Sequence, residues 1–450
     1  MALGYAVAIY TPAVETVGDR IGRRKLLLIG AAAFGVASAI AAFSNSAGML
    51  IAMRALLGIA GATLAPSTMS LIRNMFHEES ERQFAIGVWI ASFSVGGVIG
   101  PLVGGVLLQY FHWSSVFLVA VPVMVALLLL GPILLPEYRD PNAGRLDPAS
   151  VALSLFAVLA TIFGLKRIAE AGFAIDSIVT VVVGIALGFV FIRRQGRLAD
   201  PLLDMKLFRV PTFSAAIAAY ALSCLAMFGV YIFITQYLQL VLDLSPLQAG
   251  LATAPWALAF VVGSLLAPRL ARRLPAVTVL VGGLVFAAVG FALLLLVDSR
   301  IDPQIGLAAM IAGTVVMSLG MAPVFTLGNE MIITAAPPER AGAASAISET
   351  SSEFSGALGI ALFGSVGTAI YGTRLAVSMP GGIAPESSAE AIATLGGAVA
   401  ASRSLPVPLE SALLDASRGA FIEAMQGAVL AAIVIMIGAS WIAARILRKR

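Results

Sequence analysis

The sequence predicts an all-α polytopic membrane protein, and three observations support this fold class. First, 60% of the 450 residues are hydrophobic and only 12% are charged, whereas soluble domains carry about 25% charged residues. Second, the apolar residues form thirteen long runs, most of them near the roughly 20 residues that a membrane helix needs. Third, the basic residues lie almost entirely in alternate connections between these runs.

The thirteen predicted transmembrane helices are placed by their apolar runs. They lie at 1-17, 26-44, 48-72, 84-109, 114-136, 149-165, 175-192, 212-238, 247-267, 276-297, 304-329, 343-371 and 419-444. The first run is close to the lower length limit for a span, and it lacks the basic start of a signal peptide. We therefore expect a preceding helix to be missing from this chain.

The distribution of positive charge predicts the orientation. Of the 28 Lys and Arg residues, 21 fall on the side of the loop at 18-25 and 6 on the other side, and Arg54 alone lies within a span. Because basic loops stay in the cytoplasm, we expect the C-terminus to face the cytoplasm of a bacterial inner membrane. The net charge of +4 then reflects topology, and we expect no nucleic-acid partner.

Polar connections predict three regions. Residues 1-136 form an N-terminal bundle, 137-211 an inserted helix pair with flanking loops, and 212-450 a C-terminal six-helix bundle. The basic segment at 19-24 is weakly similar in sequence to the segment at 268-273, which suggests an internal repeat. Secondary transporters build a site at the membrane midplane from repeated helix bundles. The loop from 374 to 418 is interpreted as a solvated cap without a site.

Two acids inside a predicted span are the strongest candidates for chemistry. Glu349 and Glu353 are four residues apart and so share one helix face, roughly 13 to 20 Å along the helix from Arg340. A charge at this depth is costly, so such acids usually face a cavity and bind protons or cations. The alternative is a pair hydrogen-bonded to neighbouring hydroxyl groups that stabilises the bundle.

Other residues have a functional and a structural interpretation. Arg54 can couple protonation to helix movement or simply bond to helix ends. Glu330, Tyr231 and Trp256 can line a cation-accepting cavity, although an interfacial acid and packed aromatic rings explain them as well. Cys224 is expected to be a packing residue, since a single cysteine excludes a disulfide framework.

Two segments are candidates for conformational gating. The charged loop Asp19, Arg20, Arg23 and Arg24 can form ion pairs that break and re-form as a latch, or it can be only a positive-inside anchor. The run from 96 to 105 has small residues at i and i+4, which allow close helix approach, and a proline, which permits bending. Its gating candidates are Gly96, Gly100, Pro101, Gly104 and Gly105.

These features together resemble the major facilitator superfamily, in its fourteen-helix drug/proton antiporter branch, close to quaternary-ammonium pumps of the QacA and SmvA type. The loop motif of that family matches at 19-24, its fourth-helix Arg motif at Arg54 with Gly58 and Gly61, and its antiporter motif at 96-105. Further matches lie at 113-122, 201-208 and 245-250. Two departures are Glu15, where the motif has glycine, and the absent first helix.

The resemblance implies a major facilitator fold with two six-helix bundles plus two inserted helices. It implies proton-coupled efflux of lipophilic cations, with Glu349 and Glu353 as the acid pair. We expect a monomer in membrane lipid without a cofactor or metal. We also expect no enzymatic activity, because the only two histidines, His77 and His112, lie on opposite sides of the membrane in this topology. Export of an endogenous metabolite or lipid, and an inactive truncated transporter, remain alternatives.

Overall fold

The computed structural model describes residues 17–18, 20–76, 78–139, 147–171, 174–198, 201–298, 302–337 and 340–447, and these residues form helices and connections without any strand. The helices of the first half are α1 (Arg23–Ala42), α2 (Ala47–Met75), α3 (Glu79–Tyr110), α4 (Ser115–Leu118), α5 (Ala120–Leu134), α6 (Pro148–Ala171) and α7 (Ile175–Gln195). Those of the second half are α8 (Pro211–Gln236), α9 (Pro246–Ala271), α10 (Ala276–Leu294), α11 (Pro303–Thr334), α12 (Ala341–Ser378), α13 (Pro385–Ala393), α14 (Leu395–Ser402) and α15 (Val407–Leu447).

The long helices confirm the prediction of an all-helical, multi-pass membrane protein. Within the described residues, eleven helical stretches are long and apolar enough to cross a membrane. A shorter apolar stretch, Val95–Tyr110, lies in α3. Each predicted span from 26-44 to 419-444 except 114-136 coincides with one long helix, whereas the predicted span 1-17 falls outside the described residues except for its last position.

Two predicted elements differ in the structure. The span at 114-136 is divided at Val119 into α4 and α5, because Pro122 has no amide hydrogen to donate to the carbonyl four residues earlier. The segment from 374 to 418 is not a plain loop. Its ends belong to α12 and α15, and its middle forms the short helices α13 and α14, whose residues Ala391 and Ala398 are fully buried.

The chain divides into two compact units. The first comprises the described residues within Met1–Thr161, Val183–Ser214 and Ile332–Ala357. Inside it, α1 packs along α2 and α5. Small residues of α1 allow this approach: Ala37 and Ala41 are fully buried and pack with Leu57 of α2.

The second unit comprises the described residues within Ile162–Val182, Ala215–Met331 and Leu358–Arg450. Its core lies between α10 and α15, where Leu284 and Phe291 pack with Met425, Val429 and Met436. All five side chains are fully buried. Cys224 of α8 is also buried, in agreement with its predicted packing role.

Glycines bring α10 and α11 into backbone contact in the second unit. A Cβ atom added at Gly283 would lie 2.6 Å from the carbonyl oxygen of Gly320. One added at Gly290 would collide with the backbone of Met317. Real Cβ atoms do not approach that closely, so only glycine fits at these positions. The two helices are therefore packed as closely as their backbones allow.

Candidate functional site

The acid pair lies on α12, a helix of 38 residues without an internal proline. Glu349 and Glu353 fall in its apolar stretch Ile347–Ser378, one turn apart on the same face. The side chain of Glu349 is exposed and that of Glu353 is half-buried. The structure thus presents two carboxylates from one face of an apolar helix, as the spacing predicts.

Neither carboxylate of this pair has a hydrogen-bond donor or a cation as partner among the residues that the structure describes. The neighbouring hydroxyl of Thr350 is buried and also lacks a hydrogen-bond partner there. An unpaired acid in apolar surroundings is unfavourable unless it is protonated or meets a positive charge. The arrangement can therefore accept protons or bind a cation.

Arg54 projects from α2 onto an aromatic ring. Its guanidinium carbon lies 5.0 Å from the centroid of the Phe117 ring in α4, and Phe117 packs edge-on against Trp113. No carboxylate of the described residues lies within ion-pair distance of Arg54. A guanidinium over a ring face is held by a cation–π interaction, so the partner of Arg54 in this state is aromatic.

Among its described residues, the segment predicted as a charged loop at 18-25 is helical except at Gly22, and Arg23 and Arg24 are the first residues of α1. Arg24 contacts the segment that ends and follows α5. The backbone N–H of Arg24 donates to Oε1 of Glu137 at 3.1 Å, and the Arg24 side chain forms an ion pair with Oε2 at 3.8 Å. Its Nη1 also donates to the carbonyls of Leu135 at 2.9 Å and Pro132 at 3.2 Å. Arg24 therefore meets Glu137, a residue that the sequence interpretation did not assign to the site.

The other described residues of this segment differ in burial and in backbone conformation. Arg23 is buried, and its backbone N–H donates to the carbonyl of Tyr138 at 2.9 Å. Arg20 is exposed, and Asp19 lies outside the described residues. Gly22 has φ = +113°, a conformation that other residues rarely adopt. The Glu137 carboxylate occupies the space that a Cβ on Gly22 would need.

Four glycines of the run in α3 have no close contact with another described helix, although their spacing predicts one. Within the described part of the chain, no atom of a neighbour lies within 4 Å of a Cβ added at Gly96, Gly97, Gly100 or Gly104. Small residues permit close packing but do not determine which side of a helix a partner occupies. Pro101 lies inside α3, which continues without a break, and Gly105 is buried.

The aromatic candidates pack against each other in the second unit. The rings of Tyr231 and Trp256 are 5.0 Å apart and inclined by 48°. The backbone carbonyl of Trp256 accepts a hydrogen bond from Ser318 at 2.9 Å, which fixes α9 to α11. Glu330 is exposed near the end of α11. The aromatic pair is thus a packed element of this unit.

Two further ion pairs join connecting segments in which the sequence predicted no site. Asp147, before α6, pairs with Arg194 at the end of α7. Arg340, at the entry of α12, pairs with Asp204, which lies in the matched segment 201-208. Charged residues in polar connections are the only sequence signal for both pairs. The second pair holds the start of the helix that carries the acids.

Comparison with known proteins gives matches over nearly the whole chain. Residues 1–360 match the family model of the Major Facilitator Superfamily. The chain is 45% identical to the multidrug efflux pump LfrA of Mycolicibacterium smegmatis over 95% of this chain and 84% of LfrA. It is 33% identical to the methyl viologen resistance protein SmvA of Salmonella typhimurium, over 90% of this chain and 81% of SmvA.

Solved transporter structures share the fold. A peptide transporter POT in complex with sulfate aligns with a TM-score of 0.63 at 16% identity, over 100% of this chain and 86% of that one. A bacterial homologue of the human lysosomal transporter Spinster aligns with a TM-score of 0.61 at 18% identity, over 100% and 91%. At such identities the likeness concerns the fold alone. The family match over residues 1–360 establishes that the chain belongs to the Major Facilitator Superfamily.

Proposed function

We propose that this protein is a multidrug efflux pump that exports amphipathic organic cations in exchange for protons. The observation that carries the proposal is the pair Glu349 and Glu353, two carboxylates on one face of an apolar helix without a described partner. The relatives support the drug class: one is named a multidrug efflux pump and another a methyl viologen resistance protein. Methyl viologen is a dication, which two carboxylates would match in charge.

The proposed mechanism uses competition between substrate and protons for the acid pair. With both carboxylates ionised, an organic cation binds from the cytoplasmic side, because its charge offsets the cost of two anions in apolar surroundings. After the transporter opens outward, protons neutralise Glu349 and Glu353 and the cation leaves. Return to the inward-open state releases the protons to the cytoplasm. Alternating access of the two bundles follows the general scheme of secondary transporters.

The remaining candidates are assigned supporting roles in this scheme. Arg54 would respond to protonation and so couple it to movement of α2, exchanging its aromatic partner for an acid during the cycle. Arg24 and Glu137 would act as a cytoplasmic latch with Asp19, Arg20 and Arg23. Tyr231 and Trp256 remain proposed lining residues of a cation-accepting cavity.

The membrane arrangement is proposed from the charge distribution. We place the protein in the cytoplasmic membrane of a bacterium, as a monomer with its C-terminus in the cytoplasm. The proposed architecture has two six-helix groups and an inserted helix pair. The bias of basic residues toward one side, 21 against 6, supports this orientation.

The test is replacement of each acid by its neutral isostere. Glu349→Gln and Glu353→Gln are expected to abolish resistance to methyl viologen and to bis-quaternary biocides in a susceptible bacterial host. In inverted vesicles, addition of methyl viologen is expected to cause proton movement with the wild-type protein but not with either variant. Because a glutamine cannot ionise, it keeps the volume of the site and removes only its charge.

Glu386→Gln provides the matched control, since this exposed acid lies in the first turn of α13, away from the acid pair along the chain. It should retain resistance and substrate-induced proton movement. Wild-type resistance in both acid-pair variants, at equal amounts of protein in the membrane, would refute the proposal. Proton movement with an endogenous metabolite or lipid but with no drug would identify a different substrate.

A further inference from the structure

A cavity of about 240 Å³ lies in the second unit, apart from the acid pair along α12. Its lining comes from α8, α12 and α15 and from the junction of α13 and α14. Residues of this lining include Phe233, Gln236, Gly364, Tyr371, Thr394 and Phe421. An engineered cavity of about 150 Å³ in another protein binds benzene, so this space is large enough for one or two aromatic rings.

The lining of the cavity includes three aromatic rings and no charged residue. No ionisable acid or base is among the lining residues except the phenol of Tyr371. The rings of Phe233 and Phe421 are 5.8 Å apart at an angle of 43°. Bringing a charged group into such a space is costly without a partner. The cavity therefore favours a neutral ligand, in contrast to the acid pair.

A few polar groups at the cavity can orient a neutral ligand. The amide nitrogen of Gln236 donates to the carbonyl of Ile232 at 3.1 Å, which leaves the amide oxygen as an acceptor. The Thr394 hydroxyl accepts from the N–H of Gly397 at 3.0 Å, so its own proton remains to be donated. An apolar space with a few convergent polar groups is typical of small-molecule sites.

Specific contacts hold the elements that line the cavity in place. The Tyr371 hydroxyl is buried and donates to the carbonyl of Ala391 at 2.9 Å, which ties α12 to α13. Arg418 of α15 pairs with Asp243 and donates to the carbonyl of Leu240 at 3.2 Å. These contacts fix α15 to the turn after α8, so the cavity is bounded by ordered elements.

The backbone after Gln236 is irregular. Residues Tyr237–Val241 form a π-helical turn at the end of α8, next to the lining residue Gln236. Such turns are rare and often occur at functional sites, because the extra residue costs stability. Asp243, with φ = 52°, lies two residues after this turn. The backbone irregularity therefore adjoins the cavity wall.

We propose that this cavity is a binding site for an uncharged aromatic molecule of one or two rings with a hydrogen-bonding group, distinct from the cation site at Glu349 and Glu353. The ligand would lie against Phe233 and Phe421, with its polar atom directed to Gln236 or Thr394. Gly364 leaves room for it, since no described atom lies within 4 Å of a Cβ added there.

Indole is a suitable probe, because it is neutral, has two rings and carries one N–H donor. Binding of radiolabelled indole to the full chain in lipid nanodiscs should be saturable, after subtraction of uptake by empty nanodiscs. Gly364→Leu should abolish the saturable component by placing a side chain in the cavity. Gly438→Leu is the matched control, since Gly438 is also helical and open, and it should bind as the wild type does.

A second variant keeps the proposal testable if Gly364→Leu does not fold. Gln236→Leu removes the amide at similar volume and should weaken indole binding about tenfold, the effect of about 1.4 kcal/mol. It should also remove any preference for indole over N-methylindole. Unchanged indole binding in a folded Gly364→Leu or Gln236→Leu protein would overturn the proposal. A lipid acyl chain that occupies the cavity and is not displaced by indole would also overturn it. Glu349→Gln should leave indole binding intact, which separates this site from the proposed transport site.

Discussion

Arg194 binds Asp147 through two hydrogen bonds: Nε lies 2.7 Å from Oδ2 and Nη2 lies 3.1 Å from Oδ1. The Ser150 hydroxyl also donates to Oδ2 at 2.7 Å, and Gln195 donates to Ser150 at 2.8 Å. A two-point contact between guanidinium and carboxylate is the strongest geometry for such a pair. The network joins the start of α6 to the end of α7, and so holds these two helices together at one end.

Replacement of Asp147 should weaken this junction without changing the fold. Asp147→Asn is expected to lower the melting temperature of the purified protein by a few degrees, because Arg194 loses a charged partner while Ser150 keeps an acceptor. Thermal unfolding in detergent, followed by tryptophan fluorescence, measures the change. Asp176→Asn serves as the control, since Asp176 forms a single, more exposed pair with Arg167. An equal or larger loss in that control would contradict the prediction.

The same pair predicts a pH dependence. Hydrogen bonds from Arg194 and Ser150 lower the pKa of Asp147 well below its usual value. A lowered carboxyl pKa stabilises the folded state fully above the pKa of the unfolded chain, near 4, and this stabilisation disappears as the pH falls toward the folded value. The difference in melting temperature between wild type and Asp147→Asn should therefore stay constant from about pH 8 to about pH 5. A difference that already decreases between pH 7 and pH 6 would contradict it.

Gly22 and Glu137 define a third prediction. Gly22→Ala should destabilise the segment before α1, since a backbone with φ = +113° costs other residues about 1 to 3 kcal/mol. In addition, the new Cβ would lie 2.5 Å from Oε1 of Glu137. We expect a lower melting temperature and reduced drug export. Gly48→Ala is the control, because Gly48 lies in α2 with no atom nearby, and alanine favours a helix.

The cation–π contact of Arg54 with Phe117 gives a fourth prediction. Phe117→Leu keeps an apolar side chain but removes the ring face, so it should lower the initial rate of export by about two- to fivefold, the equivalent of about 0.5 to 1 kcal/mol. Arg54→Lys should have a similar effect, because an ammonium lacks the planar guanidinium. Export of a fluorescent cation from loaded cells measures both changes.

A matched pair elsewhere tests whether this effect is specific. Arg167 lies over the ring of Phe163 at 5.7 Å in α6, with the same chemistry in another helix. Phe163→Leu should leave the export rate unchanged if only the pair at Arg54 takes part in the transport cycle. Equal losses in Phe117→Leu and Phe163→Leu would show that a general packing defect, and no role in coupling, explains the result.

The positions of the helices along the chain could largely be predicted from the sequence, whereas the contacts between segments distant in sequence could not. Apolar runs located the helices because each must cross a membrane of fixed thickness, and the spacing of Glu349 and Glu353 placed them on one face. In contrast, the contact of Glu137 with Gly22 and Arg24 depends on how α1 and α5 pack. No periodicity in either segment encodes that contact.

The cap between α12 and α15 illustrates the same limit. Its composition, rich in small and polar residues, indicated a solvated loop. The structure instead buries Ala391 and Leu395 and ties α13 to α12 through Tyr371. Alanines in a polar segment have little hydropathy signal of their own, and only the surface that they meet determines whether they are buried.

The glycines of α10 and α11 provide the last prediction. The spacing of small residues predicted close helix packing at Gly96 through Gly105. The observed backbone contacts instead occur where Gly283 and Gly290 meet α11. Gly283→Ala and Gly290→Ala should each destabilise the protein by about 1 to 3 kcal/mol or more, since the colliding atoms belong to the backbone and cannot rotate away. Gly282→Ala, on the open side of the same helix, should be neutral. The amount of monodisperse protein and its melting temperature measure the effect, and equal behaviour of Gly282→Ala and Gly283→Ala would disprove the close contact.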